Sequence, residues 1–483
     1  MAKTPLPLAQ GFYVSESLPL SAQECVNLYP SIPETRTLTE ANLFMTPGLE
    51  EVEDAGSSNT NRGAHVFNGR AYFVNADTLY RLDRSVPVSG GETFSLVPLG
   101  TIPGSERVKI ADNGTQMCIV VPELSVQFNA YIYEDVGETL TQVSDSDFDG
   151  PVSSVEFIDG YFVFTKKDGN KYFISALRDG LNYNALDFAD AESDPDPIQA
   201  PAVYRNQLII FGTETFESFQ NVGGPDFPFI RTGVVERKGL FAPSTLIESD
   251  GFLFWIGGTS REKPQIYIYS GARPERISTR AIEFALKSYS KEEIEAAFAW
   301  EYSEDGSTFI GFTLPSETFV YDLSTQVWHQ RASDDVDGNR TAYRISNIIE
   351  AYGDLYTGDI QNGNIGRISK NTLDEYGANI KRRVVLPPID ANGSRIWADQ
   401  VELYTDPGTS VLGENSKVRL SWSDNGGRTF SDPRTRTIGV QGNYTNRVIW
   451  RALGSFSLSR MFALEISDKI RVAFIKLVGD LSG

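Results

Sequence analysis

The densest candidate chemistry in this chain lies between Asp145 and Glu156, in the string DSDFDGPVSSVE. Carboxylates at Asp145, Asp147 and Asp149, a turn glycine at Gly150 and Glu156 at the twelfth position reproduce the oxygen-rich spacing of an EF-hand calcium loop. Such a loop needs a helix on each side, yet VEFIDGYFVF follows as a strand and Pro151 succeeds the glycine. The expectation is an acidic loop between strands, with calcium left open. Ser423 to Phe430, SDNGGRTF, resembles the Asp-box motif, with Asn425 in the Asp position and Phe430 for Trp; SEDGSTF around Asp305-Gly306 is a shortened version. That motif ties a hairpin through a short polar side chain and is not catalytic. Glycoside cleavage needs a positioned acid and nucleophile, and no spacing here pairs two of the many carboxylates. The two histidines, His65 and His329, and the two distant cysteines, Cys25 and Cys118, are expected to be structural. No GxSxG, Walker loop or HExxH occurs, and no GxGxxG joins a strand to a helix. No catalytic, cofactor-binding or metal residue is assigned, and the chain is expected not to be an enzyme.

The elements that hold these residues announce themselves by a beat. Turn dipeptides recur at Asn68-Gly69, Asn113-Gly114, Asp159-Gly160, Arg205-Asn206, Asp250-Gly251, Asp305-Gly306 and Tyr352-Gly353, in steps of 45, 46, 46, 45, 55 and 47. Asn-Gly and Asp-Gly suit two-residue hairpins, whose central positions need φ > 0. Apolar runs flank them, and a period in the forties with few helices is that of a four-stranded propeller blade. The fold class is therefore all-β, a β-propeller of seven blades or six over 61–372, followed by an antiparallel β-sandwich over 373–483. Residues 1–60, with Pro5, Pro7, Pro30, Pro33 and Pro47, read as an arm that partly closes the ring. The 55-residue step comes from an insertion near 278–297, the one helical stretch, with a capping box at Ser290 and Glu293 expected and an interaction role for the helix. The acidic run at 187–197 reads as an exposed loop.

Net charge is −21, which opposes gripping nucleic acid through phosphates. The charge is uneven: residues 416–483 hold 11 Lys and Arg against 5 Asp and Glu, a net of +6, and the remainder carries −27. That asymmetry predicts one acidic body and one end with a different partner. MAKTPLPLAQGF has neither a basic start nor an apolar core, so no signal peptide is expected, and no apolar run is long enough to span a bilayer. Folding in the cytoplasm is expected.

Several strings resemble the tail nozzle, or tail hub (packaged-DNA stabilisation), proteins of short-tailed bacteriophages. They are CVNLYPSIPE (25–34), TPGL (46–49), FIDGYFVF (157–164), FISALRDGLNYNALDFADAESDPDPIQA (173–200), FGTETFESFQNVGGPDFPF (211–229), ERKG (236–239), IYIYSGARPERISTRAIE (266–283) and VYDLSTQVWHQRAS (320–333). The resemblance rests on their joint order and is loose in the sandwich. It implies a non-enzymatic virion component in the tail, assembled in the host cytoplasm. It further implies a homohexameric ring below the portal and head–tail adaptor that retains packaged DNA and conducts its ejection. The implied partners are other copies of the chain, the adaptor–portal complex, a tail needle or plug, and tail spikes or fibres. Genomic double-stranded DNA would pass without specific binding, and no membrane insertion or cofactor is implied. The alternative is a propeller that binds or cleaves a surface polysaccharide; a calcium-dependent adhesion module is a third class.

Overall fold

The computed structural model describes residues 3–56, 58–87, 90–191, 196–224, 227–406 and 415–483. Its local logic begins at the turns. Six of the seven predicted dipeptides have both residues at positive φ, among them Asp159 (51°) with Gly160 (93°) and the chemically weak Arg205 (47°) with Asn206 (62°). Asn113-Gly114 departs from the pattern. Its hairpin closes only between Asp112 and Met117, and the Asn113 side chain accepts from the backbone N–H of Thr115 and Gln116 at 2.9 and 2.7 Å.

Each turn joins the two inner strands of an antiparallel sheet. Six radial sheets stand as sheets of their own, with inner strands Asn61–Phe67, Lys109–Asp112, Val152–Ile158, Ile198–Tyr204, Ile247–Ser249 and Ile345–Ala351. A further radial sheet, Phe298–Glu304 through Val327–Asp334, is continuous with the sandwich. Apolar clusters fill the spaces between neighbouring sheets the whole way round. Phe67, Tyr72 and Ile119 join the first two, Ala202, Phe211 and Trp255 a later pair, and Phe73, Tyr356 and Ile365 the last sheet to the first. The ring closes by strand exchange: Gly48–Asp54 forms the fourth strand of the last sheet, antiparallel to Asn364–Ser369, with Asp374–Glu375 beyond it. Closure removes the open edge that would otherwise template aggregation.

The first sixty residues do more than close the ring. Thr4–Leu6 pairs with Ala473–Ser482, while Leu28–Ser31 and Asn42–Met45 join the same sheet of the sandwich. Ala22–Val26 lies between Val327–Asp334 of the propeller and Arg382–Val385 of the sandwich, pairing with both. Phe12 enters the core between two blades, 5.2 Å from Phe319. The sandwich core itself gathers Cys25, Leu28, Val384, Val401, Trp450, Phe462 and Phe474.

The inserted segment forms two short helices, Arg280–Leu286 and Lys291–Glu295, the second with a complete capping box between Ser290 and Glu293. Ala281, Ile282, Leu286 and Ile294 are buried in the cluster beneath. The insertion is thus partly core, and only its polar face is free for contact.

Candidate functional site

The seven inner strands surround a central channel, and their starting ends bring cations together at one mouth. A depression of about 450 Å³ there is lined by Arg107, Lys109, Lys167, Gln199, Glu292 and Glu295, the last two from the capped helix. Arg107 donates to the Ser346 Oγ (2.9 Å) and carbonyl (3.1 Å) across the channel and lies 4.0 Å over the Phe298 ring. Lys109 Nζ donates to the Pro243 carbonyl at 2.8 Å, and Lys167 Nζ to the Pro122 carbonyl at 2.9 Å. Burial, and then the neighbouring Arg107 charge, pull Lys109 down to about 7. Burial pushes Glu156 up to about 7 against the opposing pull of Lys109. These two groups share the interior of the channel, each held near neutrality by the loss of water.

Farther along, Ser249 Oγ donates to Glu301 Oε2 at 3.2 Å. Burial raises the Glu301 carboxyl, and Glu248 and Glu350 on the neighbouring inner strands raise it further. His65 Nε2 lies 2.7 Å from Asp112 Oδ2 on the adjacent inner strand.

The other sequence candidates take structural places. The carboxylates of the Asp145–Glu156 stretch diverge. Asp145 accepts from the backbone N–H of Asp147 and Tyr183, and Asp149 is shared by Lys166 and Lys171. Glu156 sits on an inner strand facing Lys109. Their oxygens are committed in three directions instead of converging on one cation. Asn425 accepts from the Thr429 N–H at 3.0 Å and donates to its Oγ1 at 2.7 Å, which ties the Ser423–Phe430 turn. His329 is fully buried beside Phe309 and Tyr29, and burial drives its pKa well below the ordinary histidine value. Cys25 and Cys118 are buried free thiols with pKa values raised by burial. The acidic run falls partly outside the described residues, at 192–195; Asp187 and Asp190 end the strand Asp179–Asp190.

Sequence reasoning missed the channel cations, because ERVKIAD carries no recognisable motif. It located the basic end of the chain but not its geometry. Within that segment, Arg419 is neutralised by Glu465 at 2.8 Å. The unneutralised cations stand elsewhere, along the open side of the sandwich, where Arg434–Gly439 and Val448–Arg451 are the edge strands of the two sheets. Arg434 donates to the carbonyls of Arg451 and Ala452, both at 3.0 Å, and Arg436 to that of Ile449 at 2.8 Å. These guanidiniums lace the two sheets together through main-chain acceptors. The alternation Arg-Thr-Arg-Thr at 434–437 was the available signal.

No helix among the described residues is long and apolar enough to cross a membrane, and no group of three or more His, Cys, Asp or Glu among them could hold a metal ion. The sequence model described as "Bacteriophage P22 Gp10, beta-propeller" matches residues 4–373, and "Bacteriophage P22 Gp10, beta-sandwich" matches residues 381–478. The chain is 23% identical over 429 residues to the tail hub protein gp10 of Salmonella phage P22, covering 84% of this chain and 85% of that protein. Among solved structures, the designed protein Ika8 is 11% identical, covering 66% of this chain and 99% of its own, with a TM-score of 0.39. The extracellular domain of a one-component system from B. thetaiotaomicron is 10% identical, covering 87% and 57%, with a TM-score of 0.44.

Proposed function

The chain belongs to the Bacteriophage P22 Gp10 family through both its propeller and its sandwich, and from that premise we infer that it is a structural tail hub protein of a short-tailed phage virion. In this reading several copies, six by analogy with the family, form a ring below the portal and head–tail adaptor. The ring extends the exit channel, retains packaged DNA and conducts its ejection. Its neighbours are the adaptor–portal complex, a needle or plug at the tip, and spikes or fibres at the side; it is assembled in the host cytoplasm. It acts as a scaffold and not as a catalyst.

The observation that carries the reading is the match to both domains, in order, over most of the chain. The charge supports it: each copy carries −21, so phosphate is repelled and DNA slides past. Retention is then steric. Imaging purified protein mixed with portal–adaptor complex should give a ring at the adaptor's distal end; absence of any added density would refute the assignment. Tight low-salt binding of duplex DNA, relieved by added salt, would refute the passive wall.

The alternative, a glycan-cleaving propeller, draws on Glu301, whose carboxyl is raised beside Glu248 and Glu350. It requires turnover of host polysaccharide with a bell-shaped pH profile that Glu301→Gln abolishes. Unchanged host glycan after incubation with the wild-type protein removes it.

A further inference from the structure

The open side of the sandwich concentrates positive charge that the chain itself leaves uncompensated. Arg395, Arg428, Arg434, Arg436 and Arg451 are all exposed, and no carboxylate among the described residues lies in ion-pair range of any of them. Among the described residues they meet neutral acceptors: Arg434 and Arg436 use main-chain carbonyls, Arg428 the Asn425 carbonyl, Arg451 the Gln400 amide and Arg395 the Ser455 hydroxyl. Asp432, at one end of the row, is the nearest acidic residue in sequence. Each guanidinium carries five N–H donors, so most remain free to face outward. Beside them, Tyr444 (72% exposed) and Val440 (48%) stand out on the turn between the two edge strands. Arginine with an exposed aromatic is the composition of a protein interface core, where Lys and Glu are depleted.

The same chain carries a complementary surface. On the closing strand Gly48–Asp54, Glu50 is taken by Arg367, but Glu51, Glu53 and Asp54 have no cationic partner among the described residues. Asp54 accepts only a backbone N–H, from Gly56. Asp374–Glu375 pairs with this strand only at Leu49, which leaves Glu51 and Asp54 exposed and Glu53 half-buried beyond that pairing.

We propose that the arginine-lined side of the sandwich docks on the acidic closing strand of the next copy, and that this heterologous contact is what builds the ring of hub subunits. The inference rests on the hub reading in one respect, that the hub contains several copies. Head-to-tail contacts between two different patches generate rings when the rotation closes. The occupant is a second copy because residues 1–415, which include the acidic strand, hold −27 against +6 for residues 416–483, which carry most of the arginines. Duplex DNA, repelled by the same −27, is the poorer match.

Sedimentation velocity of the full chain at low and high salt tests this. The wild type should associate at low salt and dissociate as salt screens the contact. Glu51→Lys/Glu53→Lys and Arg434→Gln/Arg436→Gln should each weaken association at least tenfold. Arg434→Glu/Arg436→Glu combined with Glu51→Lys/Glu53→Lys in one chain should restore it. Melting temperatures check the fold; because the arginines also lace the sandwich, the acidic-strand variant decides if the arginine variants unfold. A wild type that is monomeric at every salt concentration, or acidic-strand variants that associate normally, would overturn the proposal. Loss of fluorescent duplex-DNA binding in the arginine variant with association intact would instead assign the patch to phosphate. Failure of the hub reading has a different signature: salt-sensitive association retained, with no protein incorporated into tails.

Discussion

Glu156 and Lys109 place two ionisable groups where neither finds enough water, and the sign of their effect on stability can be worked out. Glu156 is raised from 4.5 to about 7, so between those values the folded protein holds a proton that the unfolded chain has released. Stability contributed by this group is therefore present at acidic pH and lost as pH rises through about 7. Replacing Glu156 by Gln should raise the melting temperature relative to wild type at pH 8 and leave it unchanged at pH 5, as read by differential scanning fluorimetry. An equal shift at both values would exclude titration as the cause. Arg331 poses the complementary question. It is buried among Trp300, Tyr302, Phe309 and Tyr343, all with ring centroids within 5.8 Å, and among the described residues only the Tyr302 hydroxyl accepts from it. Arg331→Met should stay within about 1 kcal/mol of wild type, because an apolar side chain of similar volume escapes the desolvation cost. Arg331→Ala should cost about 3 kcal/mol through the cavity it leaves. A Met variant as poor as Ala in urea melts would mean that the charge itself holds the cage. Neither site was legible in the sequence. The calcium-like spacing of Asp145 to Glu156 was the conspicuous signal, but Asp145 caps backbone N–H groups, Asp149 pairs with Lys166 and Lys171, and Glu156 is buried on an inner strand.

At the level of elements, the hairpins were legible because their determinants are local. A turn needing φ > 0 at two adjacent positions selects Asn, Asp and Gly within the dipeptide itself, so the beat survives translation into sequence. Where the dipeptide is weak, tertiary context makes up the difference. Arg205-Asn206 adopts the same conformation with a costlier second residue, while Arg205 lies 5.0 Å from the Tyr204 ring centroid. Asn206→Gly should therefore stabilise the protein by about 0.5 kcal/mol, seen as a higher urea midpoint with unchanged slope; a lower midpoint would mean that the Asn206 side chain has a role of its own. The opposite failure occurred at Asn113-Gly114, where the dipeptide is ideal but the side chain of Asn113 organises a longer turn. Least legible were the N-terminal strands. Val26 pairs with Gln330 and with Arg383, more than three hundred residues away, and nothing within AQECV encodes those partners. The helical insertion was found by its capping box, whereas its burial against Phe254 and Phe312 depends on side chains of the flanking blades.

For the whole molecule, the N-terminal thread decides whether the propeller and the sandwich are one cooperative unit. Ala22–Val26 is a strand of the interface between them, Thr4–Leu6 and Asn42–Met45 are strands of the sandwich, and Gly48–Asp54 is a strand of the propeller. Melting either body strips strands from a segment that the other needs. The two should therefore unfold together, giving a single calorimetric transition whose van't Hoff and calorimetric enthalpies agree, although multidomain chains commonly show several. Two resolved transitions would mean that the thread can leave one body while staying in the other. The same argument predicts that a chain ending at Asn371 loses more than a domain. It would expose the edge of Ala22–Val26 where Arg382–Val385 had paired, and leave Leu6, Leu28 and Leu43 without the core they occupy. Such a chain should be aggregation-prone in dynamic light scattering even though its propeller repeats are intact. Two bodies stitched in this way would transmit force as one rigid piece. Under the proposed role, in which the chain helps to retain packaged DNA, that coupling would keep a hinge from opening between sandwich and propeller under load.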